Sequence, residues 1–157
     1  MVKLVSITKE DRDLFWNINQ KYLYEMTNYY NDPMDENGNY HYGHFDEYFV
    51  DENRKAFFIY DETVLVGFLM LNNYSYFNLD VDYVLAEFTI FPYFRRNKYA
   101  SEAINILFKN FKGNWEIKYN INNAPALNLW EKVTEKYNPK RLNYSDEEVV
   151  LIFNNRG

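Results

Sequence analysis

Glu87-Phe88-Thr89-Ile90-Phe91-Pro92-Tyr93-Phe94-Arg95-Arg96-Asn97-Lys98-Tyr99-Ala100-Ser101 carries the chain from an extended run, through a proline and a short basic turn, straight into a helix. Val81 to Phe91 is rich in β-branched and aromatic residues and reads as a strand. Pro92 cannot donate to a sheet ladder and ends it. From Tyr99 to Phe111 apolar residues fall at Ala100, Ala103, Ile104, Leu107, Phe108 and Phe111, the spacing of one helix face. A strand that feeds a helix so directly leaves the first helical N–H groups unpaired, and the helix dipole adds partial positive charge at the same point. Such a turn accepts phosphate. Arg95, Arg96 and Lys98 place positive charge there in a chain whose net charge is −6. A solvated basic loop at the end of a sheet has the same appearance, so this segment alone leaves both readings open.

Outward from this junction the pattern is mixed. Val2 to Ile7 reads as a strand. Thr8, with Asp11 three residues on, is a helix start, and Leu14, Phe15, Ile18, Tyr22 and Met26 give residues 9–28 an amphipathic helical face. Asn31-Asp32-Pro33 stops it, and residues 31–43 read as a loop. His44 to Val50 has room for one or two helical turns. Lys55–Tyr60 and Thr63–Leu71 form a hairpin about Asp61-Glu62. After the 99–111 helix, Gly113 suits a C′ position. Trp115–Tyr119 is a strand, a helix with Pro125 in its first turn runs to about Lys136, and Val149–Phe153 is a last strand. The order β-α-(α)-β-β-β-α-β-α-β, without repeat or linker, predicts one layered α/β or α+β domain over residues 1–157, with helices on both faces of a sheet.

Composition narrows the function. The chain has 157 residues, 47% of them apolar, enough for one core. Without cysteine, disulfides, thiolate metal sites and a thiol nucleophile are excluded. The acidic balance argues against a nucleic-acid partner. No apolar run approaches the roughly 20 residues of a membrane span, and Met1-Val2-Lys3-Leu4-Val5 does not read as a signal peptide. A cytoplasmic protein with no membrane partner is the expectation.

Ile90-x-Pro92-x-x-Arg95-Arg96-x-x-x-Ala100 resembles motif A of the GNAT superfamily of N-acetyltransferases, in which Arg or Gln, then x-x-Gly-x-Gly/Ala, follows an apolar strand. Arg95 and Ala100 match; Lys98 stands where that motif has its central glycine. Asn123-x-x-Ala126, leading into Leu129-Trp130-Glu131, resembles motif B, and the run from Glu87 to Tyr137 is similar to a poorly characterised branch of predicted acetyltransferases. The resemblance covers most of the chain, most weakly residues 29–54 and the last strand. It implies a mixed, mostly antiparallel sheet splayed open between the strand ending near Phe91 and the strand Trp115–Tyr119. It further implies acetyl-CoA as co-substrate, its pantetheine along Phe88, Thr89 and Ile90, and its diphosphate on the turn Arg95, Arg96, Asn97, Lys98, Tyr99, Ala100 and Ser101. Asn123 and Ala126 would flank the thioester.

Within that resemblance Glu87 is the candidate general base. Trp130 occupies a position where many relatives place a tyrosine acid, and an indole N–H is no acid at neutral pH; Tyr137, or Tyr99, is the substitute expected, unless the thiolate leaves unassisted. For the acceptor wall the candidates are Tyr29, Tyr30, His44 and Glu87. Every charged residue between Tyr29 and Asn53 is acidic (Asp32, Asp35, Glu36, Asp46, Glu47, Asp51 and Glu52), interleaved with tyrosines, which suits a cationic small-molecule amine but equally a solvated loop. His41 and His44 are spaced i, i+3 near two carboxylates, yet no metal is expected. Transfer to a protein N-terminus or lysine, or a regulatory module that only binds acyl-CoA, are the alternatives. A homodimer through an edge or C-terminal strand is compatible with the sequence.

Overall fold

The computed structural model describes all 157 residues. Strands β1 (Val2–Ser6), β2 (Lys55–Asp61), β3 (Val64–Asn72), β4 (Tyr83–Ile90), β5 (Asn114–Asn120), β6 (Lys140–Asn143) and β7 (Glu148–Asn154) form one sheet in the order β1-β2-β3-β4-β5-β7-β6. Every neighbouring pair is antiparallel except β4 with β5. Helix α1 (Arg12–Met26) packs on one face, and α2 (Tyr99–Asn110) and α3 (Ala124–Thr134) pack on the other. The mixed, mostly antiparallel sheet with helices on both faces agrees with the expectation.

Each face has its own core. On the α1 side Phe15 is fully buried against Phe45, Phe58 and Phe68, with ring centroids 5.1, 6.1 and 5.3 Å away. On the other side Ala103, Ile104, Leu107 and Phe108 of α2 close over Leu69, Leu85, Trp115 and Leu151. This division follows from strand alternation: Phe68 and Met70 look to α1, whereas Leu69 and Leu71 look to α2.

Two irregularities make room for a site. The parallel pairing of β4 with β5 covers only Tyr83↔Trp115, Val84↔Glu116 and Leu85↔Ile117. Beyond it, β4 stays paired to β3 as far as Ile90, and β5 stays paired to β7 as far as Asn120. The sheet therefore splits, and the backbone edge of β4 from Ala86 to Ile90 faces the split. The second irregularity is a bulge in β4. Met70 pairs with Glu87 but Leu71 with Leu85, so Ala86 is an extra residue. Strict alternation from Leu85 would send Glu87 to the α2 face. With the bulge, Ala86 and Glu87 both turn toward α1, while Phe88 and Ile90 stay with the α2 core.

The sequence did not foreshadow β6, whose four residues Lys140-Arg141-Leu142-Asn143 are all exposed and carry no apolar alternation. It exists through pairing with β7. Gly113 is not the left-handed cap of α2, which ends instead in extended backbone at Phe111. Its lack of a side chain serves the close approach of Asp82, whose Oδ2 would lie 2.2 Å from an added Cβ.

Gly67 marks the tightest contact of β3 with the upper end of β4. A Cβ there would lie 2.1 Å from the carbonyl oxygen of Thr89. Gly67→Ala should therefore push β3 away from the far end of β4, lowering unfolding free energy by about 1–3 kcal/mol in chemical denaturation, the range for overpacking.

Candidate active site

A cavity of about 370 Å³ runs through the split sheet. Its walls combine α1 (Tyr22, Leu23, Met26), β4 (Leu85 to Phe88), β5 (Ile117 to Asn120) and the start of α3 (Asn123, Ala126, Trp130). Tyr30, Asp32, His41, Tyr42 and Tyr76 close its outer end.

Glu87 is its chemical centre. The Tyr22 hydroxyl donates to Oε1 at 2.9 Å and the Tyr42 hydroxyl to Oε2 at 2.8 Å. Tyr22 arrives from the same α1 face as Phe15 and Ile18; its ring is buried edge-on to Phe68 at 5.5 Å and its phenol reaches the cavity. Burial pushes the Glu87 carboxyl above its ordinary range, against the opposing pull of the Tyr42 and Tyr22 hydrogen bonds and the Lys118 charge. Both phenols are in turn held well above their ordinary range, by burial first and the adjacent carboxylate second.

The basic turn between β4 and α2 lies at the open end of the split. Pro92–Phe94 form a 3₁₀ turn, and the N–H groups of Arg96, Asn97, Lys98, Tyr99, Ala100 and Ser101 find no acceptor in the protein. The left-handed residue is Arg96, at φ 65°, whereas Lys98 is right-handed at φ −85°. The position where the resemblance expects glycine thus needs none. Asn97 ties the turn by donating to the Phe94 carbonyl at 3.1 Å. The Arg95 side chain points away from the turn and into the fold: its guanidinium donates to the Ile90 carbonyl at 2.7 Å and to Glu25 at 2.7 Å, and contacts Thr89 Oγ1 at 3.3 Å. Arg95 therefore braces the turn against α1, and Thr89 and the Ile90 carbonyl are engaged in the brace. Asn123 Oδ1 caps α3 by accepting from the Ala126 N–H at 3.3 Å.

Several expected residues lie elsewhere. Tyr137 is outside this cavity, past the end of α3, its ring stacked on Phe153 at 5.6 Å and edge-on to Phe108 at 5.9 Å. Tyr99 donates to Asp61 at 2.7 Å, on the far side of the turn. His44 is exposed and bonded to Glu47 at 2.9 Å, and it is His41 that reaches the cavity. Tyr29 borders a separate surface hollow, while Tyr30 lines the cavity itself. The acidic wall is largely absent: Asp46 pairs with Arg12, Glu47 and Asp51 flank Arg54, and Asp35 stabilises its own turn, leaving Asp32 at the cavity. Trp130 is buried against Phe88 at 5.3 Å, a packing residue of the cavity floor. Sequence reading counted Tyr42 only among the tyrosines interleaved with the acidic run, not as a partner of Glu87, and it missed Lys118 and Glu116. Glu116 is fully buried on β5 and accepts from Ser75 Oγ at 2.5 Å and the Tyr76 N–H at 2.8 Å, pinning the β3–β4 loop over the cavity. A carboxylate amid the apolar residues of β5 was the one available signal for it.

Against known proteins, the profile of the family described as "Acetyltransferase (GNAT) family" matches residues 16–134. No curated protein matches the chain in sequence. Among solved structures, an acetyltransferase from Thermus thermophilus superposes with a TM-score of 0.71 at 11% identity, covering 98% of this chain and 97% of that one. The spermidine/spermine N-acetyltransferase SpeG from Vibrio cholerae (mutant forms) gives 0.63 at 15% identity, covering 98% and 94%. Arabidopsis thaliana NAA60 with a bisubstrate analogue gives 0.66 at 12% identity, covering 98% of each.

The strained turn residue supplies a direct check. Arg96→Gly should relieve the left-handed backbone and raise stability by roughly 0.5–1 kcal/mol, while Arg96→Val should lower it by about 1–2 kcal/mol. Urea midpoints of the two variants test the pair.

Proposed function

Because the chain belongs to the GNAT acetyltransferase family, we propose that it moves the acetyl group of acetyl-CoA directly to a primary amine of a small cationic molecule, with Glu87 as the base. The observation that carries this reading is a carboxylate of raised proton affinity, gripped by two phenols, beside an unpaired strand edge. The residues present fit acetyl-CoA. Six partnerless N–H groups at a helix start suit a diphosphate, and the free β4 edge from Ala86 to Ile90 suits the amides of pantetheine. Acetyl-CoA supplies the activated carbonyl. The chain's own part is to collect a proton and hold the amine. The amine nitrogen bonds to the acetyl carbon, the carbon–sulfur bond breaks with its electron pair on sulfur, and the surplus N–H proton passes to Glu87.

No phenol at the cavity is suited to protonate the departing sulfur. A free thiol has a pKa near 8.5. Burial and Glu131 push Tyr119 up to about 12, and burial with nearby carboxylates pushes Tyr30 and Tyr76 higher still. With Tyr137 remote, the thiolate either leaves as the anion or takes the proton that Glu87 has collected. A cationic acceptor is supported by Asp32 and Glu87 among the rings of Tyr30 and Tyr42, and a cavity of about 370 Å³ is of small-molecule size.

Release of free CoA in the presence of a panel of amines tests the activity, and no release with any amine or peptide would end the proposal. Glu87→Gln should lower kcat by about 10²–10⁴-fold, the usual size of a lost general base, with the dissociation constant for acetyl-CoA unchanged.

The pH behaviour has a definite sign. The tyrosine hydrogen bonds lower the proton affinity of Glu87, so Tyr42→Phe and Tyr22→Phe should each move the acidic limb of the kcat/KM profile to higher pH. The native carboxyl binds its proton more tightly than in the unfolded chain. Glu87 therefore favours folding below the unfolded pKa of about 4.3, and that contribution is lost as pH rises through the native value. Thermal melts of Glu87→Gln should consequently gain on the natural protein between pH 4 and neutrality, on the order of a few degrees.

A further inference from the structure

Lys118, on β5, lines the same cavity as Glu87. Its ammonium lies 4.8 Å from the ring centroids of both Tyr76 and Tyr144 and 3.1 Å from the Glu148 carboxylate. Glu148 also accepts from the Tyr30 hydroxyl at 3.1 Å. The two rings come from different loops and meet edge-to-face at 5.3 Å, and the Glu116 anchor fixes the loop that carries Tyr76. Two aromatic faces and a carboxylate are the chemistry that holds an alkylammonium ligand. Here the cation they hold is a side chain of the protein.

We propose that Lys118 determines acceptor specificity by filling the second cation position of the cavity, so that the acceptor is a monoamine and α,ω-diamines are rejected. This rests on the reading of the cavity as the acceptor site. An acceptor's reacting nitrogen sits at Glu87. A second ammonium on the same chain, extending along the cavity, would arrive beside Lys118 with like charge and find its aromatic and carboxylate partners already taken. Spanning the cavity with a single charge meets no such repulsion. Lys118→Met keeps the length of the stem and removes the charge. It leaves Glu148 and the two rings free for the distal ammonium of a diamine.

The test compares linear diamines of three to six carbons with the monoamines of matching length. For the natural protein kcat/KM should favour the monoamine. In Lys118→Met the diamine-to-monoamine ratio should rise about tenfold or more, as expected when a partly desolvated cation site becomes available. Calorimetric titration of the diamines into the CoA complex gives the same comparison without turnover, and Lys118→Met should bind them about tenfold more tightly. Lys118→Gln serves as a second uncharged variant, and unaltered acetyl-CoA affinity shows that either variant is folded. A ratio and a diamine affinity unmoved in both variants would overturn the assignment. If acetyl-CoA binds and amines are acetylated while the ratio stays fixed, this inference alone fails. If the natural protein binds no acetyl-CoA, the acetyltransferase reading fails instead.

Discussion

The extra residue in β4 is the constraint from which the site follows. In a strand, side chains alternate faces, so one inserted residue reverses every later assignment. Ala86 makes that reversal. It swings Glu87 toward α1 and the 42–49 segment, where two phenols can reach it, and it leaves Phe88 and Ile90 to continue the apolar core behind. The same stretch is where β4 parts from β5. Bulges increase local twist and disrupt pairing, so the kink and the split are one mechanical event. A regular β4 would present Glu87 to the α2 core, where a carboxylate would find no donor, and would leave its edge free to zip against β5. The cavity around Glu87 and a free strand edge thus share a single cause.

The choice of tyrosines as partners for Glu87 has its own logic. A guanidinium or ammonium in contact would drive the carboxyl to low pKa. Phenols satisfy both oxygens without adding charge, so the carboxylate keeps its hydrogen bonds while burial raises its proton affinity. The nearest cation of consequence, Lys118, is committed to Glu148 and to two ring faces. That commitment also explains how a lysine is tolerated in the cavity wall. Its charge is neutralised locally by Glu148 and touches Glu87 only as the weakest of the influences on its carboxyl.

What was legible in the sequence was local. The β4–turn–α2 junction, the hairpin of β2 and β3 and the start of α3 at Pro125 each declare themselves within a dozen residues, through periodicity or a punctuating proline. Glu87 could be singled out through the resemblance, which implies a thioester beside it. Its partners could not. Tyr42 reaches it from a loop 45 residues away and Tyr22 from a helix 65 residues away, and no period marks either. A bulge has no composition of its own, so nothing in Leu85-Ala86-Glu87 announces the reversed face. Tyr137 was expected as a substitute for Trp130 within the resemblance, but the chain past Thr134 tightens into a 3₁₀ turn and sends the ring back onto Phe153. The acidic run from Asp32 to Glu52 misled for a different reason: sequence counts charges but does not show that Arg12, outside the run, and Arg54, just past it, neutralise several of them.

The basic turn shows how a run of unpaired N–H groups can be kept without glycine at the position where the resemblance expects it. What an anion needs is a set of N–H groups aimed at one point. That requirement constrains backbone direction, and side chains only have to stay clear. The left-handed step falls on Arg96, one residue after the brace, where an exposed arginine bears a modest cost and adds charge. Lys98 can then adopt ordinary right-handed geometry and stand as the N-cap of α2. The brace makes the substitution workable. By bonding the Ile90 carbonyl and Glu25 together, Arg95 fixes the exit of β4 relative to α1. A loop held at that end needs less intrinsic freedom further along, so rigidity supplied by a long-range ion pair replaces conformational freedom supplied by glycine.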